Sequence, residues 1–123
     1  MERVTGIGGV FLKAQDPKAL ASWYQQHLGI QFGDGLYVDF PWTNGGNSVF
    51  SFFKSDTKYF QPADKPYMIN FRVQNLKDLM VELEKEGVTI VGKVEETEYG
   101  NFAWIMDPEG NKIELWEPKD SVI

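Results

Sequence analysis

Glu114 is the side chain of this sequence best placed to do chemistry. It stands in the stretch Asp107 to Trp116, which predicts a tight turn followed by a strand, because its proline presets one turn dihedral and its glycine accepts a positive φ. After the turn, polar and apolar residues alternate with the period of two that is typical of a strand. Ile113 and Leu115 are then expected to face a covering layer, and Glu114 to lie on the opposite face. A carboxylate there can act as an acid, a base or a metal ligand.

Other residue types that support catalysis are scarce. The sequence contains no cysteine, which excludes thiolate nucleophiles, disulfides and sulfur-ligated metal sites. Its one histidine, His27, lies on the apolar stripe of the first predicted helix. It is near the C-terminal end of that helix, where the helix dipole favours a cation. We therefore prefer a structural role for His27, and no Ser-His-Asp arrangement is visible. Glu114 remains the one candidate acid or base.

Composition excludes several classes of partner. With 123 residues, 42% of them hydrophobic, the chain is expected to fold as one domain with a substantial core. Twelve basic and eighteen acidic residues give a net charge of −6, which opposes binding to nucleic acid or to anionic lipid. The sequence has no apolar run of membrane-spanning length and no apolar core of a signal peptide, so we expect a cytoplasmic protein.

The first half of the chain, residues 7–54, predicts a strand, a helix and three further strands. Ile7 to Ala14 forms the first strand by its alternation. Asp16 as N-cap and Pro17 at the first helical position open the helix, and Gly29 ends it. The three strands are expected over residues 30–32, 36–42 and 48–54, with turns at 33–35 and 43–47. The last strand is apolar on both faces and is expected to be covered on both.

The second half of the chain, residues 67–118, repeats this order. A strand over 67–73 precedes a helix that Asn75 caps and Gly87 ends, and strands over 89–98, 101–106 and 112–116 follow. Residues 55–66 form a polar linker, in which Tyr59 and Phe60 indicate packing against the domain. The repeat predicts an α+β fold of two tandem βαβββ modules, about 4–54 and 67–118, in a single domain over 1–123. The modules form a cupped mixed sheet around a central cleft, with the helices outside, and such a cleft is the usual place for a small-molecule site.

The repeat and two of its stretches, Asp16 to Gly29 and Asp107 to Glu114, resemble the vicinal oxygen chelate superfamily. This group includes glyoxalase I, bleomycin-resistance proteins, fosfomycin-resistance proteins and extradiol dioxygenases. The resemblance covers roughly residues 7–118 and implies the fold. It does not specify the reaction, because one fold hosts many unrelated functions.

The resemblance also implies where a metal would be held. Metal-dependent members bind a divalent ion through four inward strand positions, which correspond here to Gly9, Phe50, Met68 and Glu114. Only Glu114 can ligate a hard or borderline cation, whereas a stable site needs about three or four nitrogen or oxygen ligands. We therefore expect no bound metal and no other cofactor. The alternative is a divalent metal held through rearranged ligands.

The inward positions predict an aromatic cleft with a few polar groups, suited to a flat or apolar molecule. Besides Glu114, the residues expected to contact the ligand are Phe11, Lys13, Phe50, Phe52, Met68, Asn70, Arg72, Trp104 and Trp116. Lys13 and Arg72 occupy equivalent positions in the two modules and would favour an anionic group. Two structural alternatives stay open: Arg72 pairs with Glu114, or Phe50 and Phe52 fill the cleft as core.

Three functions are compatible with this pattern. The first is a metal-free relative of the superfamily that binds a small aromatic or amphipathic molecule, as a homodimer. The second is a metal-dependent lyase or dioxygenase of the glyoxalase type with an altered metal site. The third is a non-catalytic interaction domain with a filled cleft. If the protein is an enzyme without metal, Glu114 is the residue expected to move a proton.

Overall fold

The computed structural model describes Arg3, residues 7–42 and residues 46–119, and within them it shows an α+β fold. The elements in chain order are α1 Pro17–Leu28, β1 Ile69–Arg72, α2 Leu76–Lys85, β2 Thr89–Thr97, β3 Gly100–Met106 and β4 Lys112–Pro118. The strands form one mixed sheet in the order β1-β4-β3-β2. β1 runs parallel to β4, and the other two pairs are antiparallel. The second half of the chain is thus a complete βαβββ module.

Helix α1 forms where its capping residues predict it. Pro17 is its first residue, and the Asp16 carboxylate accepts a hydrogen bond of 3.1 Å from the backbone N–H of Ala19. Gly29 ends the helix in the left-handed conformation, with φ 68°, which glycine adopts without a side-chain clash. Local chemistry is sufficient to define both ends of this helix.

Helix α2 also lies where it was predicted, but its cap comes from elsewhere in the fold. Asn75 precedes the helix with φ 52°, and its side chain makes no capping hydrogen bond. The backbone N–H of Leu76 donates instead to the carboxylate of Glu117, at 3.1 Å. Glu117 lies on β4, so the start of α2 depends on the folded sheet.

Both helices pack on one face of the sheet. Ile113 and Leu115 of β4 are fully buried there, in a cluster that includes Leu76 of α2 and Leu20 and Tyr24 of α1. Glu114, which lies between them in sequence, points to the other face, as the alternation in β4 predicted. We call this opposite surface of the sheet the Glu114 face.

The turn before β4 has the structure that its residues predicted. The backbone N–H of Asp107 donates to the carbonyl of Asn111 at 2.9 Å, and Gly110 has φ 83°. The Asp107 carboxylate accepts from the backbone N–H of Asn111 and from the hydroxyl of Tyr24, the latter at 2.7 Å. Burial, and then the hydrogen bond to Asp107, raise the pKa of Tyr24. The turn is therefore tied to helix α1.

The strands predicted in the first half of the chain are not formed. Residues 7–14, 30–32, 36–42 and 48–54 have no strand assignment, although the N–H of Gly33 donates to the carbonyl of Tyr37 across the predicted turn at 33–35. The turn predicted at 43–47 lies in part outside the described residues. A strand obtains its hydrogen bonds from a neighbour, whereas a helix makes its own. The predicted two-module sheet is accordingly present in its second half only.

The expectation that residues 48–54 are covered on both faces is wrong for this structure. Phe50 is 77% exposed and Phe52 is 88% exposed, and their rings contact each other at 5.2 Å between centroids. Phe11, in the predicted first strand, is 95% exposed. The alternative in which Phe50 and Phe52 fill the cleft as core is therefore wrong as well.

The linker, residues 55–66, packs against the Glu114 face, as its aromatic residues indicated. It contains local turns, in which the N–H of Thr57 donates to the carbonyl of Lys54 and that of Gln61 to the carbonyl of Lys58.

No helix in the described part of the chain has the length and apolar character needed to cross a bilayer.

Candidate functional site

Glu114 is buried on the Glu114 face and accepts three hydrogen bonds from neutral donors. They come from the Tyr59 hydroxyl at 2.5 Å, from Asn70 Nδ2 at 2.7 Å and from Trp104 Nε1 at 2.9 Å. Asn70 and Trp104 are the register partners of Glu114 on the two flanking strands, so the sheet itself places them beside the carboxylate. Tyr59 reaches it from the linker.

Tyr59 is a site residue that sequence reasoning missed. Its ring stacks on Phe53 at 5.5 Å between centroids and meets Trp104 edge to face at 6.1 Å. Burial, and then the hydrogen bond and charge of Glu114, raise the pKa of Tyr59, so its hydroxyl stays protonated and can donate. The available signal was an aromatic residue within a polar linker, and that signal indicates packing without specifying a partner.

Lys112 places a cation beside this cluster. Its ammonium donates to the backbone carbonyl of Tyr59 at 2.6 Å and lies 5.2 Å from the centroid of the Tyr59 ring and 5.7 Å from that of Trp104. Burial lowers the pKa of Lys112, and the charge of Glu114 opposes that shift. The cation–π contacts and the carbonyl thus hold Lys112 against the aromatic rings.

Arg72 and Trp116 form a second cluster on the same face. The Arg72 guanidinium lies 5.6 Å from the Trp116 ring centroid and donates to the carbonyl of Asn47. The Phe102 ring also stacks on Trp116, at 5.9 Å between centroids. The predicted alternative of an Arg72–Glu114 ion pair is wrong, because the parallel register pairs Arg72 with Trp116 and gives Asn70 to Glu114.

The structure brings some of the predicted site residues together and separates others. Asn70, Trp104 and Glu114 are joined by hydrogen bonds, and Arg72 contacts Trp116. The other predicted contact residues lie elsewhere or in partly exposed positions: Phe11, Phe50 and Phe52 on exposed segments, Met68 just before β1, and Lys13 at a separate cavity. The ligand-binding role of all these residues stays a prediction.

Lys13 and Arg72 do not line the same cavity. Lys13 borders a space of about 490 Å³ together with Lys65 and Glu109. Arg72 borders one of about 270 Å³ near Phe40. The predicted symmetric flanking of one cleft by the two cations is therefore not observed. Arg72 contacts Trp116 on the Glu114 face, whereas Lys13 borders the other cavity.

The residues present do not fit the divalent metal of the family. The corresponding positions are Gly9, Phe50, Met68 and Glu114, of which the first two offer no side-chain donor and the third offers a thioether, a ligand for softer metals. Glu114 already accepts three hydrogen bonds. In the described ranges no three or more histidine, aspartate, glutamate or cysteine side chains are grouped so that they could hold a metal ion.

His27 lies on the helix side of the sheet. Its Nδ1 is 2.6 Å from a carboxylate oxygen of Glu86, which caps the end of α2. The contact joins the ends of the two helices, and its position is consistent with the structural role that we prefer for this histidine.

Comparison with known proteins supports the same fold. A protein from the mobile metagenome of V. Pseudocholerae has a TM-score of 0.62 and 20% identity, covering 98% of this chain and 99% of its own. TnmS3, an antibiotic-binding protein from Streptomyces sp. CB03234, has a TM-score of 0.61 and 16% identity, covering 97% and 100%. A glyoxylase/bleomycin resistance protein/dioxygenase domain from Frankia sp. EAN1pec has a TM-score of 0.58 and 18% identity, covering 95% and 100%.

These structural similarities concern the fold alone, since the identities are low. No curated protein is significantly similar to the chain in sequence. A family model described as glyoxalase-like domain, however, matches residues 9–116, and this confirms the resemblance to the vicinal oxygen chelate superfamily. The chain therefore belongs to the glyoxalase-like domain family.

Proposed function

We propose that this protein is a metal-free member of its family that binds a small aromatic or amphipathic molecule on the Glu114 face. The observation that carries the proposal is the environment of Glu114, the only oxygen donor among the side chains at the four family metal positions. Its carboxylate accepts from Tyr59, Asn70 and Trp104. We assign Glu114 a structural role, in which its carboxylate holds these three side chains in place by accepting their hydrogen bonds.

The second cluster on this face supplies the features that an anionic aromatic ligand needs. Trp116 is half-buried and offers the edge of its ring for contact with an aromatic ligand, and Arg72 can form charge-assisted hydrogen bonds with a carboxylate. Arg72 is exposed, and its guanidinium donates to a backbone carbonyl, that of Asn47. A ligand carboxylate can therefore approach the guanidinium without displacing a charged protein group.

The antibiotic-binding protein TnmS3 supports the proposal by analogy. It shares the fold with this chain at a TM-score of 0.61. Protein pockets typically enclose ligands of drug size, and we assign this chain a ligand of that class.

The metal content of the purified protein tests the first part of the proposal. Protein prepared without chelators is expected to contain well under one equivalent of transition metal by elemental analysis. One equivalent of metal, with an activity that rises on adding Ni²⁺, Mn²⁺ or Fe²⁺ and collapses in Glu114→Gln, would instead support a metal-dependent lyase or dioxygenase.

Thermal shift with a panel of aromatic acids, including benzoate, tests the second part. Wild-type protein is expected to be stabilised by members of the panel, and Arg72→Ala to lose this stabilisation while keeping its fold. Lys18→Ala is the matched control, because it removes a cation from α1, on the opposite side of the sheet. Equal stabilisation of the two variants would contradict a site at Arg72.

A second candidate is a non-catalytic interaction domain, and the position of Tyr59 favours it. The Tyr59 ring occupies the space next to Glu114 and Trp104, as expected for a filled cleft. This candidate predicts no stabilisation of the wild-type protein by any member of the aromatic acid panel.

We further propose that the protein is a homodimer in the cytoplasm. Aromatic residues such as Phe11 and Phe52 are almost fully exposed, on segments that have no strand partner within the described ranges, whereas monomers seldom expose large apolar patches. The chain contains no cysteine and so cannot form disulfides, and a cytoplasmic protein does not need them, because disulfides rarely persist there. Light scattering is expected to give twice the mass of the chain for the wild type, and a lower mass for Phe52→Asp.

A further inference from the structure

Tyr59 lies on the Glu114 face in the way that a bound ligand would. Its hydroxyl donates to Glu114, one side of its ring stacks on Phe53, and its ring meets Trp104 edge to face. Lys112 adds a cation–π contact to the same ring. Five features of a built small-molecule site thus converge on one phenol group: a charged acceptor, a stacking ring, an edge contact, a cation and partial burial.

The segment that carries Tyr59 is held to the sheet by few hydrogen bonds, although its Ala63 is buried. Its backbone hydrogen bonds are local turns, such as those from Thr57 to Lys54 and from Gln61 to Lys58, and no residue from 55 to 66 belongs to a strand. The bonds that join Tyr59 to the sheet are its own hydroxyl and the Lys112 contact to its carbonyl. Tyr59 can therefore leave the face without breaking a strand pairing.

When Tyr59 leaves the Glu114 face, Glu114 loses one of its three hydrogen-bond donors. Glu114 keeps the hydrogen bonds from Asn70 and Trp104, which are set by the strand register, but loses its third donor. A buried carboxylate with an unfilled acceptor position is unfavourable. The most favourable replacement is a neutral hydroxyl on a flat ring. Water can donate to the carboxylate but cannot restore the ring contacts with Phe53 and Trp104, a second anion would be repelled, and a ring without a hydroxyl cannot donate to Glu114.

We propose that the Tyr59 side chain occupies a pocket for a hydroxylated aromatic ring, and that a phenolic ligand takes its place when the linker moves aside. The inference rests on the proposed function and specifies the ligand class for the Glu114 cluster. The burial and the negative charge that raise the pKa of Tyr59 would act in the same way on a phenol bound there, so its hydroxyl stays protonated and donates to Glu114.

The test uses p-cresol, which is the tyrosine side chain without its backbone, and toluene, which lacks only the hydroxyl. Tyr59→Ala opens the pocket, and Tyr99→Ala is the matched control because it removes an exposed tyrosine and leaves Tyr59 in place. By calorimetry, Tyr59→Ala is expected to bind p-cresol about tenfold more tightly than toluene, as one hydrogen bond to a charged acceptor provides. Tyr99→Ala is expected to bind p-cresol more weakly, because Tyr59 competes.

Wild-type protein provides a second measurement that does not depend on the stability of a variant. If p-cresol displaces Tyr59, the linker is released, and trypsin is expected to cleave after Lys58 faster with p-cresol than with toluene. Equal affinities of folded Tyr59→Ala for the two probes would overturn the proposal. A rate of cleavage after Lys58 that p-cresol leaves unchanged would also overturn it.

The probes separate this inference from the proposed function. Benzoate carries an anion without a hydroxyl and tests Arg72, whereas p-cresol carries a hydroxyl without an anion and tests Glu114. Binding of benzoate through Arg72, with no effect of p-cresol, would overturn the phenol pocket alone. Binding of p-cresol as expected, with no response of any aromatic acid to Arg72→Ala, would overturn the anion site of the proposed function alone.

Discussion

The two halves of the chain contain the same predicted order of elements and bury their apolar residues very differently. In the second half, Ile113 and Leu115 have no exposed surface, whereas Phe11 and Phe52 in the first half are exposed almost completely. Helix α1 and the residues next to it are the exception in the first half, since Leu20 and Tyr24 join the core of the second, and Ala14, Ile30 and Phe32 pack against it while partly buried. The second half therefore holds the fold together, and the apolar surface of the first half is available for a ligand or for a second copy of the chain.

The difference follows from how each kind of element is stabilised. Strands β1 to β4 satisfy one another's backbone groups, and their side chains pack beneath two helices. The extended segments of the first half have no described strand partner, so a favourable residue pattern alone does not bury them. A surface of this kind gains most from an added partner, and substitutions in each half should show how different the two halves are in solution.

The largest effect is expected for a substitution in the core of the second half. Leu115→Ala should lower the free energy of unfolding by about 2–5 kcal/mol, because it removes buried methyl groups and leaves a cavity. Phe52→Ala should change it by less than about 0.5 kcal/mol in the monomer, as is typical of exposed positions. Urea unfolding of both variants at low protein concentration measures the contrast. Similar losses for the two variants would mean that the first half is packed in solution.

An intermediate effect is expected where the helix of the first half is joined to the second half. Tyr24→Phe removes the hydroxyl that donates to the Asp107 carboxylate and should lower the free energy of unfolding by about 1.5–3 kcal/mol, the usual range for a hydrogen bond to a charged group. Chemical denaturation at neutral pH measures this loss. Tyr99→Phe, at an exposed position, is the control and should unfold like the wild type.

The same contact makes stability depend on alkaline pH. The pKa of Tyr24 in the folded protein is raised by burial and by Asp107, so the unfolded chain loses this proton first as the pH rises above about 10. The unfolded state then binds fewer protons than the folded state, and the free energy of unfolding falls with pH. Tyr24→Phe should show a shallower fall over this range than the wild type. An unchanged slope would contradict the assigned contact.

The smallest effect is expected at the helix caps, where the two halves differ in the source of the cap. Asp16→Ala and Glu117→Ala should each lower the free energy of unfolding by about 1 kcal/mol. Asp16 caps α1 within its own segment, so a peptide of the first half should lose helix content on the same substitution, measured by circular dichroism. Glu117 reaches α2 from β4, so its effect requires the folded sheet and is measured by urea unfolding of the whole protein.

The family resemblance and the second-half module followed from sequence because they depend on local signals. Asp16, Pro17 and Gly29 bounded α1, and the turn at Asp107 to Asn111 formed as its residue types indicated. The alternation in β4 correctly placed Glu114 on the face opposite the helices. The composition of the site was less accessible, because Tyr59 carried no motif and the register that separates Arg72 from Glu114 is a property of two strands together.

Local patterns in the chain were enough to predict the elements that complete their own hydrogen bonds and the strand faces that alternation assigns. They were not enough to predict which distant groups meet: Tyr59 contacts Glu114, Glu117 contacts the start of α2, and the strands predicted in the first half have no described partner. A helix or a tight turn closes its hydrogen bonds within a few residues. A strand, a remote cap and a buried carboxylate are satisfied only by groups that are distant along the chain.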